Sequence, residues 1–267
     1  MNDKKTRYLV IITAIFLLLS GGILYIVFDS QGMRKQNYNN YVNYNINDYV
    51  EIKSLEFTNY KNVYNTINVS KVQIKNIDEK ITKDFMSKQD EIISYISGYY
   101  KEINASIEYV PVNTVYSTIK TQINGAVLSI FYQIDFNLDE NLFNDNIKTY
   151  MTTLNIDLAT NKILTYDELI SKYDYTKKHI AERLFTEEVL INKGEVVIDK
   201  NTNISLTKND IERKKEEYVD RIISEFGNII YVYIENNSLT LVYDTKELKN
   251  IFFDNKFDTD IKFRYLK

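Results

Sequence analysis

The sequence predicts an α+β protein: an N-terminal transmembrane helix, then an antiparallel, hairpin-rich sheet packed with amphipathic helices. Three observations carry this expectation. An uncharged apolar run stands near the N-terminus. Segments that alternate with period two are interleaved with segments of helical period. The turn pairs Asn124-Gly125 and Asn236-Asn237 each separate two alternating runs, which is a hairpin signal.

The apolar run is Tyr8 to Phe28, "YLVIITAIFLLLSGGILYIVF". A bilayer core takes about 20 apolar residues in helix. Lys4, Lys5 and Arg7 precede it and Arg34 and Lys35 follow, a modest asymmetry that keeps the N-terminus in the cytoplasm. The expected organisation is a cytoplasmic tail at 1–7, a single-pass transmembrane signal anchor at 8–28, a polar spacer at 29–50 and an extracytoplasmic domain at 51–267. That domain divides into a leading segment, 51–110, and a main segment, 111–267. A cleaved signal peptide is the competing reading, with Ser20-Gly21-Gly22 as its small residues. "ILYIVF" follows them directly, so the run exceeds a usual signal core of about 7–15 residues.

Composition removes several functions. Both charge signs are spread along the chain and no basic block occurs, so no nucleic-acid partner is expected. There is no cysteine, which excludes disulfides, thiolate catalysis, cysteine zinc sites and a lipid-modified cysteine. The single proline, absent tryptophan and abundant Asn, Ile, Lys and Tyr reflect an AT-rich coding bias, so the 23 tyrosines alone do not mark a function.

After the spacer, "EIKSLEFTNY" and "NTINVSKVQI" read as strands. Ile81, Phe85, Ile92, Ile96, Tyr99 and Ile103 recur at helical spacing and predict one amphipathic helix over 78–103. "SIEYVPV" is extended and ends near Pro111. "TVYSTIKTQI" and "AVLSIFYQIDFNL" flank Asn124-Gly125 as a hairpin, with both turn positions at positive φ. In its second strand Leu128, Ile130, Tyr132, Ile134, Phe136 and Leu138 share one face. Ser129, Gln133, Asp135, Asn137 and Asp139 take the other, which predicts a sheet with one buried and one wet face. Tyr150, Thr152, Leu154, Ile156 and Leu158 form the next strand, and Ala159 to Lys162 turn the chain. Thr165 and Glu168 make a capping box, with Leu164 and Leu169 as its hydrophobic staple. Thr207 and Asp210 repeat the box. The helix behind it carries Ile211, Tyr218, Ile222 and Phe226 on one face and stops at Gly227. "IIYVYIE" and "SLTLVYD" form a hairpin around Asn236-Asn237, and "DIKFRYL" pairs as a last strand.

This order resembles the extracytoplasmic domain shared by RsiV-type anti-sigma factors and PdaC-type peptidoglycan deacetylases of Gram-positive bacteria. Asn155-Ile156-Asp157 stands where that family has an Asn-Phe-Asp-like triplet. Thr160-Asn161-Lys162 stands for its Thr-Gly-Lys-like turn, and Ile163 to Leu169 for its helix start. "VSKVQIKNIDEKITKDF" is similar to the family's leading segment. The family's Gly-rich, His-containing segment is replaced by "NLFNDNIKTY". The resemblance implies a cell-envelope module. With only "MNDKKTR" on the cytoplasmic side, a complete anti-sigma factor is not expected. A metal-dependent deacetylase needs His and Asp ligands together, and His179 is the single histidine.

No residue is assigned to catalysis, to a cofactor or to a metal. His179, among lysines on a helix, reads as a surface histidine. Asp135-x-Asn137-x-Asp139 opens like a calcium loop, but Glu140 stands where glycine is required and Asn146 where the bidentate Glu belongs. Weak calcium binding by Asp139, Glu140 and Asp145 is the remaining alternative there. Glu187-Glu188 and Asp258/Asp260 are carboxylate pairs that nothing singles out for acid–base work. Tyr99-Tyr100 and "IIYVYIE" offer a binding surface or, more simply, core packing. The expected function is non-catalytic: binding or sensing of an envelope protein or cell-wall glycan. The alternatives are a peptidoglycan-acting enzyme and an accessory subunit of a membrane complex.

Overall fold

The computed structural model describes residues 43–55, 65–105, 113–137, 149–190, 196–255, 257 and 260–266. The apolar run 8–28 and its flanks lie outside the described residues. Among those described, no helix is long and apolar enough to cross a membrane. Residues 44–267 form one compact α+β unit. The end of the expected spacer belongs to it: α1 (Ile46–Tyr49) is capped by Asn45 and runs straight into β1 (Val50–Ser54). The Lys75 amide donates to Tyr49 O at 2.8 Å, which ties this entry segment down.

β1 pairs antiparallel with β3 (Ser70–Ile74), while β2 (Asn65–Asn68) joins a larger sheet. The expected single strand over 65–74 is therefore two strands, divided at the buried Val69. α2 (Glu79–Ala105) follows at the predicted place, with Asp78 accepting from the Lys80 amide at 2.9 Å. Phe85, Ile92 and Ile96 are buried as the helical spacing requires. Gln89 lies in the same stripe and is fully buried. Its Oε1 accepts from Val72 N at 2.9 Å and its Nε2 donates to Val72 O at 3.3 Å, so a side-chain amide completes the free edge of β3.

The larger sheet has the order β2-β4-β5-β6-β7, with β4 (Asn113–Asn124), β5 (Val127–Asn137), β6 (Thr149–Asp157) and β7 (Lys162–Ile163). β2 runs parallel to β4 and the other neighbours are antiparallel. The β4–β5 turn is shifted by one residue from expectation. Asn124 pairs with Val127 as the last strand residue, and the turn is Gly125-Ala126. Only Gly125 has positive φ there, at 59°, the pattern of a turn with glycine first. The Asn236-Asn237 turn does place both residues at positive φ, 52° and 59°.

The wet face expected for β5 is buried. Leu128, Ile130, Tyr132 and Ile134 pack under α2 and β3 as predicted, and the opposite side of the strand, Val127, Ser129, Phe131 and Gln133, is also buried. The cover is a second sheet, β10 (Tyr231–Glu235), β11 (Ser238–Asp244) and β12 (Ile261–Leu266), all antiparallel. Strand-level alternation failed here because a sheet sandwiched on both faces reads as half-polar when its polar residues hold the cover in place. Ser129 Oγ donates to Asn155 Oδ1 at 2.6 Å and accepts from Ile234 N at 2.8 Å. Asn155 Nδ2 donates to Val232 O at 2.9 Å. Two side chains of β5 and β6 thereby satisfy the outer backbone edge of β10.

The other face of the small sheet carries the second core. Val232, Ile234, Leu239, Leu241 and Tyr243 pack against α3 (Tyr166–Ser171), α4 (Lys177–Leu184), α5 (Lys208–Arg213), α6 (Lys215–Ser224) and α7 (Thr245–Asn250). Both expected capping boxes form, Thr165 with Glu168 and Thr207 with Asp210. The single helix expected from 208 to Gly227 is broken at Lys214 and ends at Ser224. Gly227, at φ 97°, belongs to the following loop, where its N–H returns to Ile230 O at 2.8 Å. At the break, Lys214 Nζ reaches Asp199 Oδ2 at 2.8 Å, pinning the helix pair to the short hairpin of β8 (Val197–Ile198) and β9 (Ser205–Leu206).

Asp199 is almost fully buried, and the Lys214 ammonium with the Asn201 and Thr202 amides holds its carboxyl at about 2, against an ordinary 3.8. A depressed folded pKa adds stability that is complete above the unfolded value and is lost as pH falls through the folded one. Acid titration of the wild type is therefore expected to lose stability between about pH 4 and pH 2. In Asp199→Asn that part of the loss should vanish, at the cost of a lower melting temperature at neutral pH. An unchanged acid limb in the variant would refute this assignment.

Candidate binding site

Cross-strand register arranges the second face of the large sheet in rows. Gln122, Ser129 and Asn155 form one row. Lys120, Phe131 and Thr153 form the next, then Thr118, Gln133 and Met151, and last Tyr116, Asp135 and Thr149. β10 lies along the first of these, bound by Ser129 and Asn155. β12, two strands further across the small sheet, meets the later rows. The Phe263 ring stands edge-on to Phe131 at 5.8 Å, and Ile261 and Met151 pack around the same cluster. No hydrogen bond or ring contact joins the last row to the small sheet among the described residues. Tyr116, Asp135 and Thr149 thus form a shelf beyond the rows that β12 contacts, and Phe263 and Tyr265 of β12 are themselves exposed.

The shelf's closed end is a charged aromatic cluster. Lys120 Nζ lies 2.8 Å from Glu235 Oε1 and 4.6 Å from the Phe263 ring centroid. The Tyr233 and Tyr265 hydroxyls donate to Glu235 Oε2 at 2.6 and 3.1 Å. Burial pushes the Glu235 carboxyl up, but the Lys120 ammonium and the two phenols outweigh it and hold the carboxyl below its usual range. The same carboxylate raises the Tyr265 phenol. This cluster ties β4 to β10 and β12 and fixes the aromatic wall.

On the shelf itself, Asp135 accepts from Gln133 Nε2 at 2.8 and 2.7 Å and from Thr149 Oγ1 at 3.0 Å. These donors are neutral. No lysine or arginine pairs with Asp135 among the described residues. Its negative charge raises the neighbouring Tyr116 phenol above the ordinary value. A half-buried carboxylate, exposed tyrosines and a phenylalanine can accept a cation and stack against a flat or extended ligand.

Of the residues singled out in the sequence, Asp135 alone lies on this shelf. Asp139, Glu140, Asp145 and Asp258 lie outside the described residues, as do the side chains of Tyr99 and Tyr100. Asn137 ends β5. His179 is exposed on α4, its ring 5.9 Å from Tyr175. Tyr233 of "IIYVYIE" is core, stacked on Phe131 at 4.8 Å. Glu187 and Glu188 sit on a π-helical turn, Phe185–Val189, that prolongs α4. Glu188 is buried, accepts from the Tyr243 hydroxyl at 2.9 Å and pairs with Lys262 Nζ at 2.9 Å, while Glu187 pairs with Arg183 and Arg264. That network clamps β12 from its helical side. No group of three His, Asp or Glu side chains able to hold a metal occurs among the described residues. Tyr116, Lys120, Glu235, Phe263 and Tyr265 escaped the sequence because they are ordinary strand residues until two sheets cross. No protein-family model and no curated protein matches this sequence.

Proposed function

We propose that the chain is a single-pass, membrane-anchored extracytoplasmic binding or sensing module of the RsiV/PdaC type. It engages an envelope protein or cell-wall glycan without catalysis of its own. The anchor is 8–28 and the binding unit is 44–267. The observation that carries this reading is the shelf: a carboxylate, Asp135, that no cation pairs among the described residues, next to the exposed Tyr116 and beyond the exposed Phe263 and Tyr265 of β12. The uncharged run behind a basic flank supports the placement at the cell membrane.

The test is retention of soluble 44–267 on washed cell-wall material and on immobilised envelope proteins. The wild type is expected to be retained on one of them. The Phe263→Ala/Tyr265→Ala double variant should lose about tenfold or more in affinity, as for central aromatic anchors, measured well below its melting temperature, which falls because both side chains also hold β12 to Phe131 and Glu235. Protease added to intact cells should digest the domain. Retention on neither material, or digestion only after lysis, would defeat the proposal.

A further inference from the structure

The partner class can be narrowed, on the basis of that binding reading. We propose that the outer edge of β12, with Tyr116, Asp135 and Thr149 beneath it, takes an extended polypeptide strand of a partner protein. That strand brings a lysine or arginine side chain to Asp135.

The backbone supplies the first reason. In an antiparallel ladder, alternate residues of an edge strand direct N–H and C=O away from their partner. The fold closes two such edges with side chains: Gln89 serves β3, and Ser129 with Asn155 serves β10. β12 pairs with β11 on one side, and no backbone hydrogen bond reaches its other side among the described residues. A strand added there gains main-chain hydrogen bonds along its length, and its alternate side chains face the shelf.

Charge supplies the second reason. Lys262 and Arg264 of β12 are engaged by Glu187 and Glu188 behind the sheet. A second copy of β12 added in register would set these like charges against each other, which disfavours self-pairing. On the shelf side the charge is the reverse: among the described residues Asp135 has neutral donors and no cation. Side chains on one face of an added strand recur about every 7 Å. One of them can therefore meet Asp135 while its neighbours lie over Tyr116 and Thr149. The exposed Phe263 and Tyr265 cover the apolar part of the incoming chain.

The probe is a capped ten-residue peptide of alternating valine and lysine, with alternating valine and glutamate as control. Both are titrated against the full chain in mild detergent, with amide hydrogen exchange of β12 as readout. The lysine peptide should slow exchange of the outward β12 amides about tenfold or more, and the glutamate peptide should not. Asp135→Asn should weaken lysine-peptide binding about tenfold. Tyr116→Arg, which places a cation against Asp135 without removing it, should do the same and guards against a folding defect in the first variant. Unchanged β12 exchange, equal effects of both peptides, or insensitivity to both variants would overturn the proposal. Protection of β12 by peptidoglycan fragments but not by the peptide would also overturn it, while leaving the binding reading intact.

Discussion

Replacing Asn155 with leucine should cost roughly 2–4 kcal/mol of folding free energy, read as a lower midpoint in urea. Asn155 is buried at the crossing of the two sheets, accepting from Ser129 and donating to Val232 O. Leucine fills similar volume, so the loss is polar: the Val232 carbonyl and the Ser129 hydroxyl are left without that partner in a dry interface. Ser129→Ala should cost a similar amount, roughly 2–4 kcal/mol, because it strands the buried Ile234 N–H as well as Asn155 Oδ1. The double variant should cost less than the sum, since both side chains belong to one network. Additive effects would mean that they act independently. Amide exchange adds a local readout: the Ile234 amide should be deprotected in Ser129→Ala ahead of the core of β5.

Gln89→Leu is the second large effect, again roughly 2–4 kcal/mol. Pattern reasoning would rate it as an improvement, since it replaces a polar residue in the apolar stripe of α2. The tertiary contact reverses that expectation. Gln89 is fully buried and satisfies both Val72 N–H and Val72 C=O. Leucine strands both groups of a fully buried residue, because α2 itself keeps water from that edge. Gln89→Glu separates the two bonds: a carboxylate still accepts from Val72 N–H but cannot donate to Val72 O and carries a buried charge. It should therefore be destabilising at neutral pH and partly recover as pH is lowered. A stable Gln89→Leu protein would show that this edge relaxes toward solvent.

The two predictions share a design. Edge strands carry backbone groups that need partners, and here side-chain amides from another element supply them at β3 and β10. β12 is the contrasting strand, held by Glu187 and Glu188 from behind and without a backbone hydrogen bond along its outer side among the described residues. The same architecture thus closes two of its edges with side chains and, among the described residues, leaves the outer edge of β12 without a backbone partner. Asn155, which the family resemblance singles out, is explained by the sheet crossing, and Asp157 beside it accepts from the Ala159 and Thr160 amides to build the turn.

Local chemistry was written plainly in the chain. Apolar spacing located α2, the capping boxes at Thr165 and Thr207 started their helices, and Asn236-Asn237 turned its hairpin. These features depend on neighbours within a few residues, so the sequence contains all of their physics. What depends on distant partners was not legible: the buried polar face of β5, the split at Lys214, and the shelf around Asp135. Ser129 read as a solvated polar residue, and nothing local marked Gln89 or Lys214, because their partners Ile234, Val72 and Asp199 lie far along the chain. The sequence by itself determined the α+β class and most of its hairpins and helix starts. Only the tertiary structure decided which polar side chains are interior and which strand edges those side chains close. Burial and hydrogen bonding at those positions are set when one sheet crosses another, and no periodicity within a single strand carries that information.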